Sequence, residues 1–269
     1  MTVDVILILV VLGTFVGFVA GLLGVGGGGI LVPTLSSLFF YLDFPAEKIV
    51  HLSLGTSMAA IVVTSISSMR AHQARGAVDW PTVRYMAIGV LFGTFAATFL
   101  VAALKSIYLA GFFAAFMTFV SFQMWRPLKL SGSKASSHSE LVGAGAGIGG
   151  ISALVSIGGG SLTVPYLSWR GFELKRAVGT SAAMGLPIAI VGTIGYLVNG
   201  WGETDLSQHI IGYIYWPAVL VISCCTVLTA PIGVRVAHKL PVPVLRKIFA
   251  VLLISIALKM LYTVITSDV

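Results

Sequence analysis

The stretch GGGGILVPTL at Gly26–Leu35 returns 132 residues later as GGGSLTVPYL at Gly158–Leu167, with six identities in ten positions. Both copies interrupt an apolar region: GVGGGG at Gly24–Gly29 breaks residues 5–42, and GGGS at Gly158–Ser161 breaks residues 141–169. A run of glycine lets the backbone turn with positive φ and leaves its amides uncovered. Beyond each break only a short apolar arm remains. At 1.5 Å per residue, Ile30–Leu42 reaches about 20 Å and Leu162–Trp169 about 12 Å, against a hydrocarbon core of about 30 Å. Each region therefore reads as a hairpin of two helical arms.

Two further landmarks repeat in the same order. Gly55-Thr56-Ser57 returns as Gly179-Thr180-Ser181 at an offset of 124, and Trp80-Pro81 returns as Trp216-Pro217 at an offset of 136. Three landmarks in one order indicate internal duplication. Outside the hairpins, six apolar runs are long enough to span a bilayer: 49–69, 80–104, 106–125, 177–198, 210–234 and 244–265. Helices are the expected form, because lipid leaves no partner for a backbone that is not bonded internally, and the alternation of a barrel is missing. The expected fold is thus an all-α polytopic membrane protein of 8 to 10 membrane segments, with each half a glycine-broken hairpin plus three transmembrane helices. The first repeat covers 1–128, a cytoplasmic linker 129–140, and the second repeat 141–269.

Composition agrees. Of 269 residues, 57% are hydrophobic and 9% charged, and the mean hydropathy is +1.02. Soluble domains carry about 25% charged residues, so this surface suits lipid. The net charge of +7 is spread over short clusters between apolar runs, which fits membrane orientation and gives no reason to invoke nucleic acid. Cys224 and Cys225, adjacent within an apolar run, lack metal-ligand spacing and read as small apolar side chains. The first run has no basic n-region before it and is expected to remain in the mature protein. Trp80, Trp125, Trp169, Trp201 and Trp216 fall near segment ends, as interfacial aromatics do.

Charge also orients the copies. If each hairpin enters and leaves on one face, three spans follow per copy, and the odd number inverts the second copy. One face then holds loops 70–79, 126–140, 170–176 and 235–247 with twelve Lys or Arg, and the other only Lys48, Lys105 and Lys259. The positive-inside rule places the basic loops in the cytoplasm and both termini outside, and the halves become an inverted repeat.

At each tip the second arm presents free N–H groups and the positive end of a helix, with Pro33 and Pro165 expected in its first turn. Two such helix starts entering from opposite faces make a site that favours a small anion. The candidate binding residues are Gly26, Gly27, Gly28, Gly29, Thr56, Ser57, Gly158, Gly159, Gly160, Ser161, Thr180 and Ser181. A competing structural reading has the glycines serving close helix packing and the hydroxyls bonding their own backbone. His51 is a candidate titrating group against a capping role, and Arg84 a candidate charge against snorkelling to the basic face. All nine carboxylates lie in loops or at segment edges, which argues against a cation carrier or a pump working through a buried acid. Dispersed histidines, no HExxH and no Lys-Ser/Thr after the glycines leave enzyme chemistry, cofactors and a bound metal without residues.

GFVAGLLGVGGGGILVPTL at Gly17–Leu35, its return as GISALVSIGGGSLTVPYL at Gly150–Leu167, the paired GTS motifs and RGAVDW at Arg75–Trp80 together resemble the TauE/SafE family of bacterial membrane transporters, also called the sulfite exporter family. The resemblance implies a bacterial or archaeal cytoplasmic membrane, usually seven to nine spans, and secondary transport of sulfite or a related organosulfur anion. A proton or sodium ion would be the coupling partner. An anion channel and a non-transporting partner subunit are the alternative readings of the same residues.

Overall fold

The computed structural model describes residues 3–24, 26–125 and 137–239, together with helical positions 247, 250, 251, 254, 255 and 258. The helices are α1 (Val3–Leu23), α2 (Gly28–Tyr41), α3 (Ala46–Gln73), α4 (Trp80–Ala103), α5 (Ser106–Trp125), α6 (His138–Val155), α7 (Gly160–Trp169), α8 (Leu174–Asn199) and α9 (Trp216–Ala237). Six of them, α1, α3, α4, α5, α8 and α9, are long and apolar enough to cross a membrane. The chain is a multi-pass, helical membrane protein.

Both expected breaks are present, between α1 and α2 and between α6 and α7. The second arms, α2 and α7, are 14 and 10 residues long, about 21 and 15 Å, and fall short of the core thickness. Several boundaries differ from the sequence reading. α6 begins at His138, inside the span assigned to the linker. Pro33 and Pro165 lie at the sixth helical residue of their arms instead of the first turn, so each denies an N–H to the carbonyl four residues back, Gly29 or Ser161. The run read as a span at 210–234 starts as a small antiparallel hairpin, β1 (Ile210–Ile211) and β2 (Ile214–Tyr215), turned at Gly212, and its helix runs Trp216–Ala237. Tyr215, the N-cap of α9, is extended at φ −90 and ψ 96, and Pro217 sits in the first turn where no helical N–H is needed, neither of which hydropathy registers. The run at 244–265 and most of the linker lie outside the described residues.

α3 and α8 form the centre: 83% of the apolar window of α3 is buried, against 33% for α4 and 39% for α9. Two pairs flank them, α1 with α9 and α4 with α6. Both pairs approach through small residues. A Cβ at Gly21 would overlap the Ala230 carbonyl, one at Gly17 would come 2.6 Å from Thr226 Cα, and on the other side one at Gly149 would come 2.9 Å from Val90 Cα. Lipid gives side chains no hydrophobic reason to leave it, so helices associate where small residues let backbones approach. Large apolar side chains such as Phe92, Phe119, Leu220 and Leu228 remain exposed on the outside, as a lipid-facing surface requires.

Gly21→Ala is expected to destabilise the protein by about 1–3 kcal/mol, because a backbone carbonyl cannot yield to the added methyl. Gly143→Ala, whose Cβ meets nothing within 4 Å, should be neutral or slightly stabilising. Unfolding midpoints of the two purified variants in detergent check the contrast.

Candidate functional site

The hairpin tips are made by left-handed residues. Gly24 (φ 67), Gly26 (φ 76) and Gly27 (φ 85) turn the first, and Ser156 (φ 50) and Gly159 (φ 80) the second. Ser156 takes the place of Gly24 at the 132-residue offset, and a non-glycine in this region is held at a cost of about 1–3 kcal/mol. A hydrogen bond steadies it there, its hydroxyl donating to the Leu54 carbonyl at 2.5 Å. The hydroxyl of Ser181 in turn donates to the Gly24 carbonyl at 2.9 Å.

The two tips touch. A Cβ at Gly26 would lie 2.9 Å from Gly158 Cα, and one at Gly28 would overlap the Ser156 carbonyl. Both positions also press on Ile61, halfway along α3, while the Gly158 carbonyl lies 3.0 Å from the Cβ position of Gly185, halfway along α8. At these glycines the chain needs the absence of a side chain for close approach as well as for conformation.

Hydrogen-bond accounting at the second tip leaves donors over. The Leu162 and Thr163 amides donate to the Gly159 carbonyl at 3.1 and 2.7 Å, whereas those of Gly160 and Ser161 find no backbone acceptor among the described residues. The hydroxyls of Ser161 and Thr163 are buried and have no partner among the described residues, as is the case for Ser57. Leu54, Ser57 and Ile61 share one face of α3 by the i, i+3, i+7 rule, and both Leu54 and Ile61 touch the tips, so Ser57 faces them too. A start of helix with buried, unsatisfied donors is suited to a negative group. The field there is not cancelled: the described carboxylates lie in loops, at N-caps or in first helical turns.

Thr56 and Thr180 face elsewhere. Thr180 Oγ1 accepts the Asp79 amide at 3.0 Å and Thr56 Oγ1 accepts the Tyr215 amide at 3.0 Å, the residues that immediately precede the two Trp-Pro helices. The glycine of each GTS motif completes the clasp, since a Cβ at Gly179 would overlap the Ala77 carbonyl and one at Gly55 the Tyr213 carbonyl. Asp79 adds an ion pair with Arg176 at 2.7 Å and caps α4 through Thr82 N at 3.2 Å. His51 is also engaged: Nδ1 meets Ser106 Oγ at 3.2 Å, and Nε2 meets the Val101 and Leu104 carbonyls at 3.1 Å, tying α3 to the turn between α4 and α5. Arg84 is exposed on α4 and does not reach the buried tips. Sequence reasoning missed Ser156 and Thr163. The first was visible only as the residue aligned with Gly24.

Comparison with known proteins follows this geometry. The family described as sulfite exporter TauE/SafE matches residues 9–260. A protein of Haemophilus influenzae named "Probable membrane transporter protein" is 36% identical over 258 residues, covering 95% of this chain and 97% of its own. Similarly named proteins of Methanocaldococcus jannaschii and Bacillus subtilis are each 26% identical, covering 87% and 90% of this chain and 86% and 93% of their own. No solved structure matches.

Thr180→Val deprives the Asp79 amide of its acceptor and is expected to cost about 1–3 kcal/mol, with Thr180→Ser retaining most of the stability. Thermal unfolding of both variants reads this. A valine variant as stable as the parent would contradict the clasp.

Proposed function

The chain belongs to the TauE/SafE sulfite exporter family, and from that premise we propose a secondary active transporter that exports a small sulfur-containing anion, such as sulfite or an organosulfonate, across a bacterial cytoplasmic membrane. The observation that carries this reading is the meeting of the two glycine tips, where the hydroxyls of Ser57, Ser161 and Thr163 are buried and the amides of Gly160 and Ser161 start a helix, with no partner for these groups among the described residues. Amides and hydroxyls are donors suited to sulfur oxyanions, and a low-dielectric setting strengthens each such bond. Gly26, Gly27 and Gly159 supply the turn, and Gly26, Gly28 and Gly158 the close approach. Ser181 holds the Gly24 carbonyl and so sets the tip. Thr56 and Thr180 serve the clasps instead of the ligand, and His51 the frame.

The proposed architecture is an inverted repeat of residues 1–128 and 141–269, with the basic loops cytoplasmic and both termini outside. It draws support from bonds that recur at the sequence offsets: Thr56 to Tyr215 mirrors Thr180 to Asp79, and α1 on α9 mirrors α6 on α4. Rocking of one half on the other would break and remake the contact between the tips and expose the site alternately. Because backbones there are packed to contact, a closed site suits the geometry better than an open anion pore.

Flux of labelled sulfite, thiosulfate and short sulfonates in proteoliposomes, under imposed pH and sodium gradients, tests the proposal. Saturable flux is expected for at least one of them, and conductance without saturation would mark a channel. Ser57→Ala and Ser161→Ala should each weaken apparent affinity by roughly tenfold or more, the worth of about 1.5–3 kcal/mol for a hydrogen bond to a charged group, without altering the unfolding midpoint.

A further inference from the structure

A cleft opens on the face that carries Arg75 and Lys175, lined by Leu22, Leu23, His72, Lys175, Val178 and His238 among others. It ends at the first hairpin break: Leu22 and Leu23 immediately precede Gly24, and the Val178 carbonyl is 2.6 Å from the Cβ position of Gly24. The cleft is therefore the side of the tips that opens toward the basic loops.

Its chemistry is set by His72. The ring is buried, at 1% exposure, and Nε2 lies 3.1 Å from the Gly21 carbonyl. A carbonyl only accepts, so Nε2 carries the hydrogen, and in the neutral ring Nδ1 is left as a bare acceptor. Nδ1 is buried, with no partner among the described residues. The pseudo-equivalent position, at the 124-residue offset, makes the same carbonyl contact with a different residue. There Tyr196 donates its hydroxyl to the Ala153 carbonyl at 2.8 Å, the residue that stands 132 after Gly21, and nothing is left over.

The surroundings are cationic. The His238 ring is 5.8 Å from that of His72, Lys175 comes from α8, and Arg75 follows α3, donating to the Ala71 carbonyl at 2.9 Å. The segment of α1 against His72, Gly21 to Leu23, brings no titratable group. Neither Lys175 nor Arg75 pairs with a carboxylate among the described residues. Burial, and then the charges of Arg75 and Lys175, lower the pKa of His238, which leaves Lys175 and Arg75 as the standing charges. An anion is what such a cleft lacks.

The geometry points to an anion vestibule on the basic face in which docking of a small oxyanion is coupled to protonation of His72 at Nδ1. Lys175 and His238 hold the anion, the proton comes from water onto the vacant lone pair, and the imidazolium keeps its Nε2–H bond to the Gly21 carbonyl. The inference rests on the transporter reading for its role, as the place where cargo and one proton are taken up together. Linkage fixes the sign: whatever favours the protonated ring is favoured by it, so affinity rises as pH falls.

The test uses the full-length purified protein with methanesulfonate and sulfite as probes. Binding is followed by tryptophan fluorescence, and proton uptake by an indicator dye in weakly buffered solution. Methanesulfonate keeps its single charge across the neutral range, so a proton taken up with it resides on the protein. The expected result is net proton uptake on binding, with affinity falling by up to about tenfold per pH unit as pH rises from the acid side toward neutrality. His72→Gln keeps a donor for the Gly21 carbonyl and removes the titrating nitrogen, and should abolish both the uptake and the pH slope. Lys175→Ala should weaken binding several-fold at every pH. Failure of the parent protein to bind either probe, an unchanged slope in His72→Gln, or loss of the uptake in His238→Gln alone would overturn the assignment. Should His72→Gln not accumulate, Lys175→Ala decides, since it breaks no described hydrogen bond or ion pair, and unchanged binding there overturns the vestibule. Saturable sulfite flux with an unchanged slope in His72→Gln removes the vestibule and leaves the transporter. Proton-coupled binding without flux in liposomes does the reverse.

Discussion

A peptide group placed in hydrocarbon must find its hydrogen-bond partner inside the protein. This chain breaks two helices within the bundle, halfway along α3 and α8, and the rest of the structure follows from how those breaks are covered. The tips are pressed together backbone to backbone, Ser181 and Ser156 take up nearby carbonyls, and the flanking pairs, α1 on α9 and α4 on α6, wall the region from lipid. Among the described residues, buried side-chain atoms without a partner occur in several places, Ser68, Thr94, Ser152 and Ser223 among them, and at the tips they are the hydroxyls of Ser57, Ser161 and Thr163. A buried donor without a partner is costly, and those at the tips lie where two helix starts meet, which is why they carry the proposed site.

The two halves use one framework for different purposes. Each GTS motif clasps the loop before the other half's Trp-Pro helix, with the glycine admitting the loop and the threonine accepting its amide. In the first half that loop is a turn held by the Asp79–Arg176 ion pair, and in the second it is a short β-hairpin. The differences are concentrated where chemistry is expected. Ser156 stands for Gly24, Ser161 for Gly29, and His72 for Tyr196. These exchanges put an imidazole in the cleft beside Lys175 and additional hydroxyls at the second tip.

Much of this was legible in the residues. The glycine breaks, their duplication, the long spans and the lack of buried acids follow from local pattern and composition, and the family resemblance rests on the same residues. The proline positions, the start of the ninth helix and the hydrogen bonds of Thr56, Thr180 and His51 did not follow. Each depends on a partner far along the chain: Thr56 is answered by Tyr215, Thr180 by Asp79, and His51 by carbonyls at the end of α4. Hydropathy counts Ile210, Ile211, Ile214 and Tyr215 as apolar whether they lie in a helix or in a strand, so a buried hairpin passed for the opening of a span.

The sequence by itself determined that the chain is a polytopic membrane protein with two glycine-broken arms, because lipid admits few backbone forms and glycine marks where one is interrupted. Only the tertiary structure decided which hydroxyls are left without a partner among the described residues and where the cleft beside His72 opens. A serine or histidine is spent or available according to what lies within about 3 Å of it, and for Ser57, Ser181 and His72 those neighbours are set by the packing of distant helices.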